Sequence, residues 1–252
     1  MSLDTRDQPY MGRTELEAAV EYAEIAGSYA VPVTLFITGK AVDEEPAAVD
    51  TLAAMEHVEL GGHNYYAFDT LVHKASRGLL GSWNGPRPFQ GWEITRTIDA
   101  FAVHDVDITA WRDHAYRHDD NTASLLTDRG ITHFSDAVGP DERVQTERGL
   151  TVVPINTPPD HEHVYHAFRT EEFVAESYFE GPFGTDSHDV DDWLSWVRAA
   201  IDDAIDADQP ATVLAHPSCM DIADRLATFE RLCATVAEDY NAKRVSEVRP
   251  KT

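Results

Sequence analysis

Lysine is scarce in this chain of 252 residues, occurring only at positions 40, 74, 243 and 251. With 20 basic residues against 45 acidic ones, the formal net charge is -25. A surface of that sign repels nucleic acid and anionic lipid, which excludes both as partners. Cysteine is rarer still: Cys219 and Cys233 are the two, without the CxxC spacing of a metal knuckle or redox motif. They read as reduced thiols, not as a disulfide framework. Long apolar runs are missing too. None approaches the roughly 18 residues needed to span a bilayer, and no basic segment followed by an apolar one opens the chain, so neither a membrane span nor export is expected. With no linker and no repeat of fixed period, residues 1–252 read as a single domain large enough to bury a full core. The acidity runs evenly along the chain, which points to a soluble protein of a high-salt cytoplasm, where ions screen self-repulsion within a few ångströms.

What is present is alternation. Residues 14–29 carry apolar positions at helical spacing, with Thr14 as the cap and Glu17 three residues on. Residues 31–38 are β-branched and aromatic, as in a buried strand, and Glu45-Pro46 opens a helix predicted to run to residue 56. Strands are expected to end at residues 4, 60, 111, 135, 155 and 215. Between them come helices over 68–80, 93–104, 122–129 and 190–207, a loop over 81–90, and a last helix over 222–240. Repeated βα units favour a parallel sheet, and the length favours a β/α barrel.

In such a barrel the C-terminal ends of the strands share one face, and four polar residues recur at those ends: Asp4, His63, Arg112 and His216. Each alone has an ordinary reading, as a turn residue, a loop partner, a surface charge and a helix cap before Pro217. Their matching positions make a common pocket the stronger reading.

The same residues carry a family resemblance. The segments Ser2 to Asp7, Val33 to Gly39, Glu59 to His63, Trp111-Arg112 and Val213 to Pro217 resemble, in order and nearly end to end, the motif set of the polysaccharide deacetylase family. That family shares the nodulation-type chitooligosaccharide deacetylase homology domain, and the acidic composition suggests a divergent, haloarchaeal-like member. The resemblance implies an irregular (β/α)7-type barrel and a hydrolase that removes acetyl groups from amino sugars or glycans. It makes Asp4 the general base, Arg112 its brace and His216, in Leu214-Ala215-His216, the general acid. The family's metal ligands are an aspartate and a His-x-x-x-His pair. Here Thr5 stands where the aspartate is usual and Asp7 takes its place; His63 matches the first histidine, but Ala67 replaces the second. His114 is the first candidate to complete a divalent site, zinc by expectation, with Asp69 and His73 as further ones.

The chemistry asks for the same types. Hydrolysing an amide needs an activated water, a stabilised oxyanion and an acid for the leaving group. Zinc in a catalytic site wants three protein ligands and a water. A second potential ligand group lies in Pro158 to His166. If extended, that segment puts Asp160 and Glu162 on one face and His161 and His163 on the other, an extra metal cluster if it is not simply a polar loop. Among the aromatic residues near strand ends, Tyr65, Tyr66, Trp83 and Trp111 are candidates to stack on a sugar. For Trp92 and Trp111 core packing is the stronger reading. Two alternatives to a metal-assisted deacetylase stay open: a metal-independent hydrolase of another amide or cyclic amide, and a non-catalytic carbohydrate binder. In every case the expected partner is a carbohydrate or amide-containing small molecule.

Overall fold

Thr14 shows how directly local sequence sets structure here. Its hydroxyl accepts a hydrogen bond from the Glu17 N–H at 3.1 Å, while the Glu17 carboxylate accepts from the Thr14 N–H at 2.9 Å. Two orphan donors are satisfied at once, and helix α1 (Glu15–Ser28) starts at that point. Its Leu16, Ala19, Ala23 and Ala26 face the core at three- and four-residue spacing. The computed structural model describes residues 1, 5–177 and 179–251.

Strand β1 (Val33–Ile37) follows, then α2 (Gly39–Glu44), α3 (Pro46–Ala53) and β2 (Val58–Gly62). Next come α4 (Leu71–Leu80), α5 (Arg87–Ala102), β3 (Ala110–Trp111), α6 (Thr122–Thr127) and β4 (His133–Phe134). The chain continues through β5 (Gln145–Glu147), β6 (Leu150–Val152), α7 (Asp160–His163), α8 (Glu171–Glu176), α9 (Val190–Asp206), α10 (Pro217–Asp224) and α11 (Ala227–Asp239).

The sheet runs β1-β2-β3-β4-β6-β5, parallel except for the β5–β6 edge pair. Leu35 pairs with Leu60, Gly62 with Trp111, and Trp111 with Phe134, so the strands end on one common side. The result is the irregular α/β barrel-type fold that the alternation predicts, with Trp111, Phe101, Leu126, Ile131 and Leu150 in its interior.

Four local expectations change. The strand predicted at 211–215 has no ladder partner among the described residues. Asn156 fastens it instead: its Nδ2 donates to Pro210 O at 3.0 Å and its Oδ1 accepts from Thr212 N at 2.8 Å, a side-chain amide standing in for a neighbouring peptide. The loop expected over 81–90 ends early, because Pro88 fits the first turn of α5, where no N–H is needed. The helix expected over 45–56 stops at Ala53. The one expected over 222–240 divides into α10 and α11 at Arg225 and Leu226, whose φ of 57° and 67° no right-handed helix accommodates.

Candidate functional site

The Gly61-Gly62 pair before His63 exists because two rings need the room. A Cβ on Gly62 would lie 2.3 Å from the Trp111 ring, and one on Gly61 would lie 2.7 Å from Phe36. Close approach lets β2 end tight against β3 and sets His63 at the floor of a cavity of about 610 Å³. His63, Arg112, His114, Tyr116, His161, Glu162 and His216 line that cavity.

His63 hydrogen-bonds through Nδ1 to Arg112 O at 2.7 Å, and its Nε2 lies 3.3 Å from His114 Nδ1. Burial holds the His63 pKa well below the ordinary histidine range, and burial likewise lowers His114 to about 4. Both rings are therefore neutral near pH 7. Arg112 is buried; its Nε and Nη2 donate to Ser135 O and Oγ at 2.9 and 2.7 Å, and the guanidinium lies over the Phe36 ring. Asp4, the expected base, lies outside the described residues.

His216 is the N-cap of α10, at the end of the 211–215 segment. Its Nδ1 lies 2.6 Å from Asp160 Oδ1, and its backbone N–H donates to Asp160 Oδ2, also at 2.6 Å. Asp160 is fully buried, whereas the His216 side chain keeps 29 % of its surface. Burial opposes charge on the imidazole, but the Asp160 charge and hydrogen bond outweigh it and raise its pKa. The carboxylate responds in the complementary sense: burial pushes it up, and the interactions with His216 bring it below its ordinary value. Two residues on, Glu162 faces the cavity with Oε2 lacking a hydrogen-bond partner, and burial pushes its pKa up to about 7.

The ligand set Asp7, His63 and His114 does not assemble. Asp7 lies at the turn before Gln8, with Oδ2 3.6 Å from His161 Nδ1 and Oδ1 3.6 Å from His166 Nε2. His63 and His114 pair with each other without it, and no group within 4.8 Å spacing unites the three among the described residues. The other replacements are engaged as well: Asp69 pairs with Lys74, and His73 is buried against Glu93 at 2.9 Å. A metal of the family kind therefore has no fitting ligand set in Asp7, His63 and His114.

The 160–163 segment is a helical turn, so its side chains fan out instead of alternating. Asp160 meets His216 and His161 meets Asp7, while His163 is buried away from the cavity, with Nδ1 2.7 Å from Asp186 O and its ring edge against Trp196. Asp160, His161 and His163 thus do not form one cluster.

Of the aromatic candidates, Tyr65 and Tyr66 line the cavity. Trp111 is fully buried and donates to Asp113 Oδ1 at 3.0 Å, a core residue. Trp83 lies between the guanidinium groups of Arg77 and Arg117, 4.3 and 4.0 Å from its ring centre, and not on the cavity wall. Sequence reasoning missed Asp160 as the partner of His216, and Glu162 as a cavity carboxyl. The unusual density of ionisable residues in that stretch was the available signal.

No family model matches the chain, and no curated protein matches its sequence. Its fold has counterparts among solved structures. A protein from Mycobacterium smegmatis assigned as a polysaccharide deacetylase is 18% identical, with a TM-score of 0.67 over 98% of this chain and 84% of that one. Puue allantoinase is 15% identical, with a TM-score of 0.65 over 95% and 72%. A carbohydrate esterase family 4 pseudoenzyme from Bacillus anthracis is 11% identical, with a TM-score of 0.54 over 98% and 62%. At these identities the likeness is one of fold.

Proposed function

We propose that the chain is a hydrolase that removes an acetyl group from an amino sugar or a related acylated carbohydrate, breaking a carbon–nitrogen bond outside peptides. The observation that carries this reading is the Asp160–His216 pair on the wall of a substrate-sized cavity. With Nδ1 held by Asp160, the proton that His216 can transfer sits on Nε2. The raised pKa keeps a larger share of the ring protonated near neutral pH, ready to protonate the departing nitrogen as the tetrahedral intermediate collapses. Arg112 supplies a buried positive charge on the cavity wall that favours the developing oxyanion.

Asp4 is the proposed base for the attacking water, on the strength of its sequence motif. Glu162, partly ionised near its pKa of about 7, is the second carboxyl suited to that step. Tyr65 and Tyr66 offer rings for a pyranose face. The acidic composition supports action in a high-salt cytoplasm on a soluble precursor, and no helix among the described residues is long and apolar enough to cross a membrane.

Acetate release from N-acetylated chito-oligosaccharides and N-acetylglucosamine derivatives tests the reading. Release by the wild type, cut by roughly two to four orders of magnitude in His216→Ala, is the expected result. No release from any acetylated amino sugar sinks it. A second reading is favoured by Ala67, which lines the cavity where a second metal-binding histidine would stand: hydrolysis of a cyclic amide without metal, which ring-opening of hydantoin-type substrates detects.

A further inference from the structure

At the wall of the cavity, three segments distant in sequence bring together Asp7, His161, His166 and Cys219, and we propose that these four side chains bind one zinc-type divalent ion. The site goes beyond the proposed hydrolysis and does not depend on it. The ligand atoms all lie within 4.8 Å of one another. Cys219 Sγ is 3.5 Å from His161 Nδ1 and 3.4 Å from His166 Nε2, while the two Asp7 oxygens lie 3.6 Å from those same nitrogens. Zinc bonds of about 2.0–2.3 Å to nitrogen, oxygen and sulfur give a tetrahedron whose edges are roughly 3.3–3.8 Å. Both Cys219 contacts fall within that range, and each Asp7 oxygen stands at such an edge from one of the two histidines.

Two independent features point to a ligand. Asp7 is 2 % exposed, and its Oδ1 has no hydrogen-bond partner, although a buried carboxylate oxygen left unsatisfied is costly. His166 Nδ1 lies 2.7 Å from Val164 O and so carries the proton that donates to that carbonyl, which leaves the Nε2 lone pair directed at Cys219 and Asp7. That backbone hydrogen bond fixes the tautomer a metal ligand needs.

The donor set selects the ion. Thiolate and two imidazoles suit zinc or cobalt(II), whereas magnesium and calcium want oxygen alone. Charge balances as well: a divalent cation with one carboxylate, one thiolate and two neutral histidines leaves a buried site with no net charge. Binding releases the Cys219 proton to solvent. Four protein ligands fill a tetrahedron, so the ion's role is to tie the 5–7 turn, α7, the 164–166 segment and α10 together. That bond network would hold Asp160 and His216 on their shared wall.

The test uses the full chain stripped with a strong chelator and titrated with cobalt(II), read by absorbance, with elemental analysis of the zinc form. One equivalent per chain is expected, with intense tetrahedral visible bands and a thiolate-to-cobalt charge-transfer band. That band should vanish in Cys219→Ser and persist in Cys233→Ser and His63→Ala. Circular dichroism of Cys219→Ser, together with His161→Gln at a partly exposed position, separates loss of a ligand from loss of fold. A wild type that binds no cobalt, or a charge-transfer band that survives Cys219→Ser, overturns the site. Because the readout is spectroscopic, a protein that binds metal yet releases no acetate would defeat the hydrolase reading alone.

Discussion

Asp160 grips His216 twice, taking the ring through one carboxylate oxygen and the backbone N–H through the other, both at 2.6 Å. The double hold fixes the position of the histidine as well as its protonation. If His216 acts as the acid, its protonated form is the active one, and turnover falls as pH rises through its pKa. Asp160→Asn removes the charge that raises that pKa, so the alkaline limb of the kcat/KM profile should move to lower pH. An unmoved limb would assign that ionisation to another group.

A different buried carboxyl governs stability. Asp113 is fully buried, its Oδ1 accepts from Asn64 at 2.7 Å and from Trp111 at 3.0 Å, and its Oδ2 has no partner. Burial, reinforced by the neighbouring Asp136 charge, raises its pKa well above the ordinary aspartate range. The folded state therefore holds the proton more tightly than the unfolded one. The stability that this group contributes is present below about pH 4 and is lost as pH rises through the folded pKa. Asp113→Asn keeps the Oδ1 acceptor and removes the charge. Its Tm relative to wild type should climb with increasing pH, and a pH-independent difference would refute the assignment.

Gly62 offers a steric test of the site's floor. Gly62→Ala places a methyl group 2.3 Å from Trp111, a fully buried ring with no space to retreat. A loss of about 1–3 kcal/mol in denaturant unfolding is expected, the usual cost of overpacking. Unchanged stability would mean that β2 and β3 can separate more easily than their register suggests.

Salt should stabilise this chain unusually strongly. Its net charge of -25 repels itself across a surface where the Debye length shrinks from about 10 Å at 0.1 M to about 3 Å at 1 M salt. Tm should rise steadily with KCl over that range, and a flat response would argue against adaptation to high salt.

Much of the framework was legible because local signals agreed with the tertiary outcome. Thr14 and Glu17 announced α1, the β-branched run announced β1, and the glycines before His63 marked where β2 ends. The break between α10 and α11 was not legible, because nothing in Arg225 or Leu226 favours a left-handed backbone; tertiary packing imposes it. Leu226 is buried there, at 1 % exposure. The site was readable in its strand-end residues and opaque in its partners. His63, Arg112 and His216 do meet at one cavity, whereas Asp7 faces His161 and His166 instead of His63 and His114. Period-two reasoning failed over 160–163, since a strand and a single helical turn cannot be told apart in four polar residues. Trp111 takes the core place expected for it and Trp83 lies off the cavity, since whether an aromatic ring lines a cavity or the core depends on which loops cover it.

That single helical turn concentrates much of the molecule's design in four positions. Asp160 goes to His216, His161 to the proposed ion, Glu162 to the cavity and His163 to a buried contact with Asp186 and Trp196 away from it. The Trp193 indole holds the turn's approach by donating to Pro158 O at 3.0 Å. Each residue of a helix is rotated about 100° from the one before it, so one residue inserted between Pro159 and Asp160 would pass every side chain to its neighbour's destination. Substitution can test these four positions separately; insertion or deletion here would change all of them together, which makes this turn a segment whose length should tolerate very little variation.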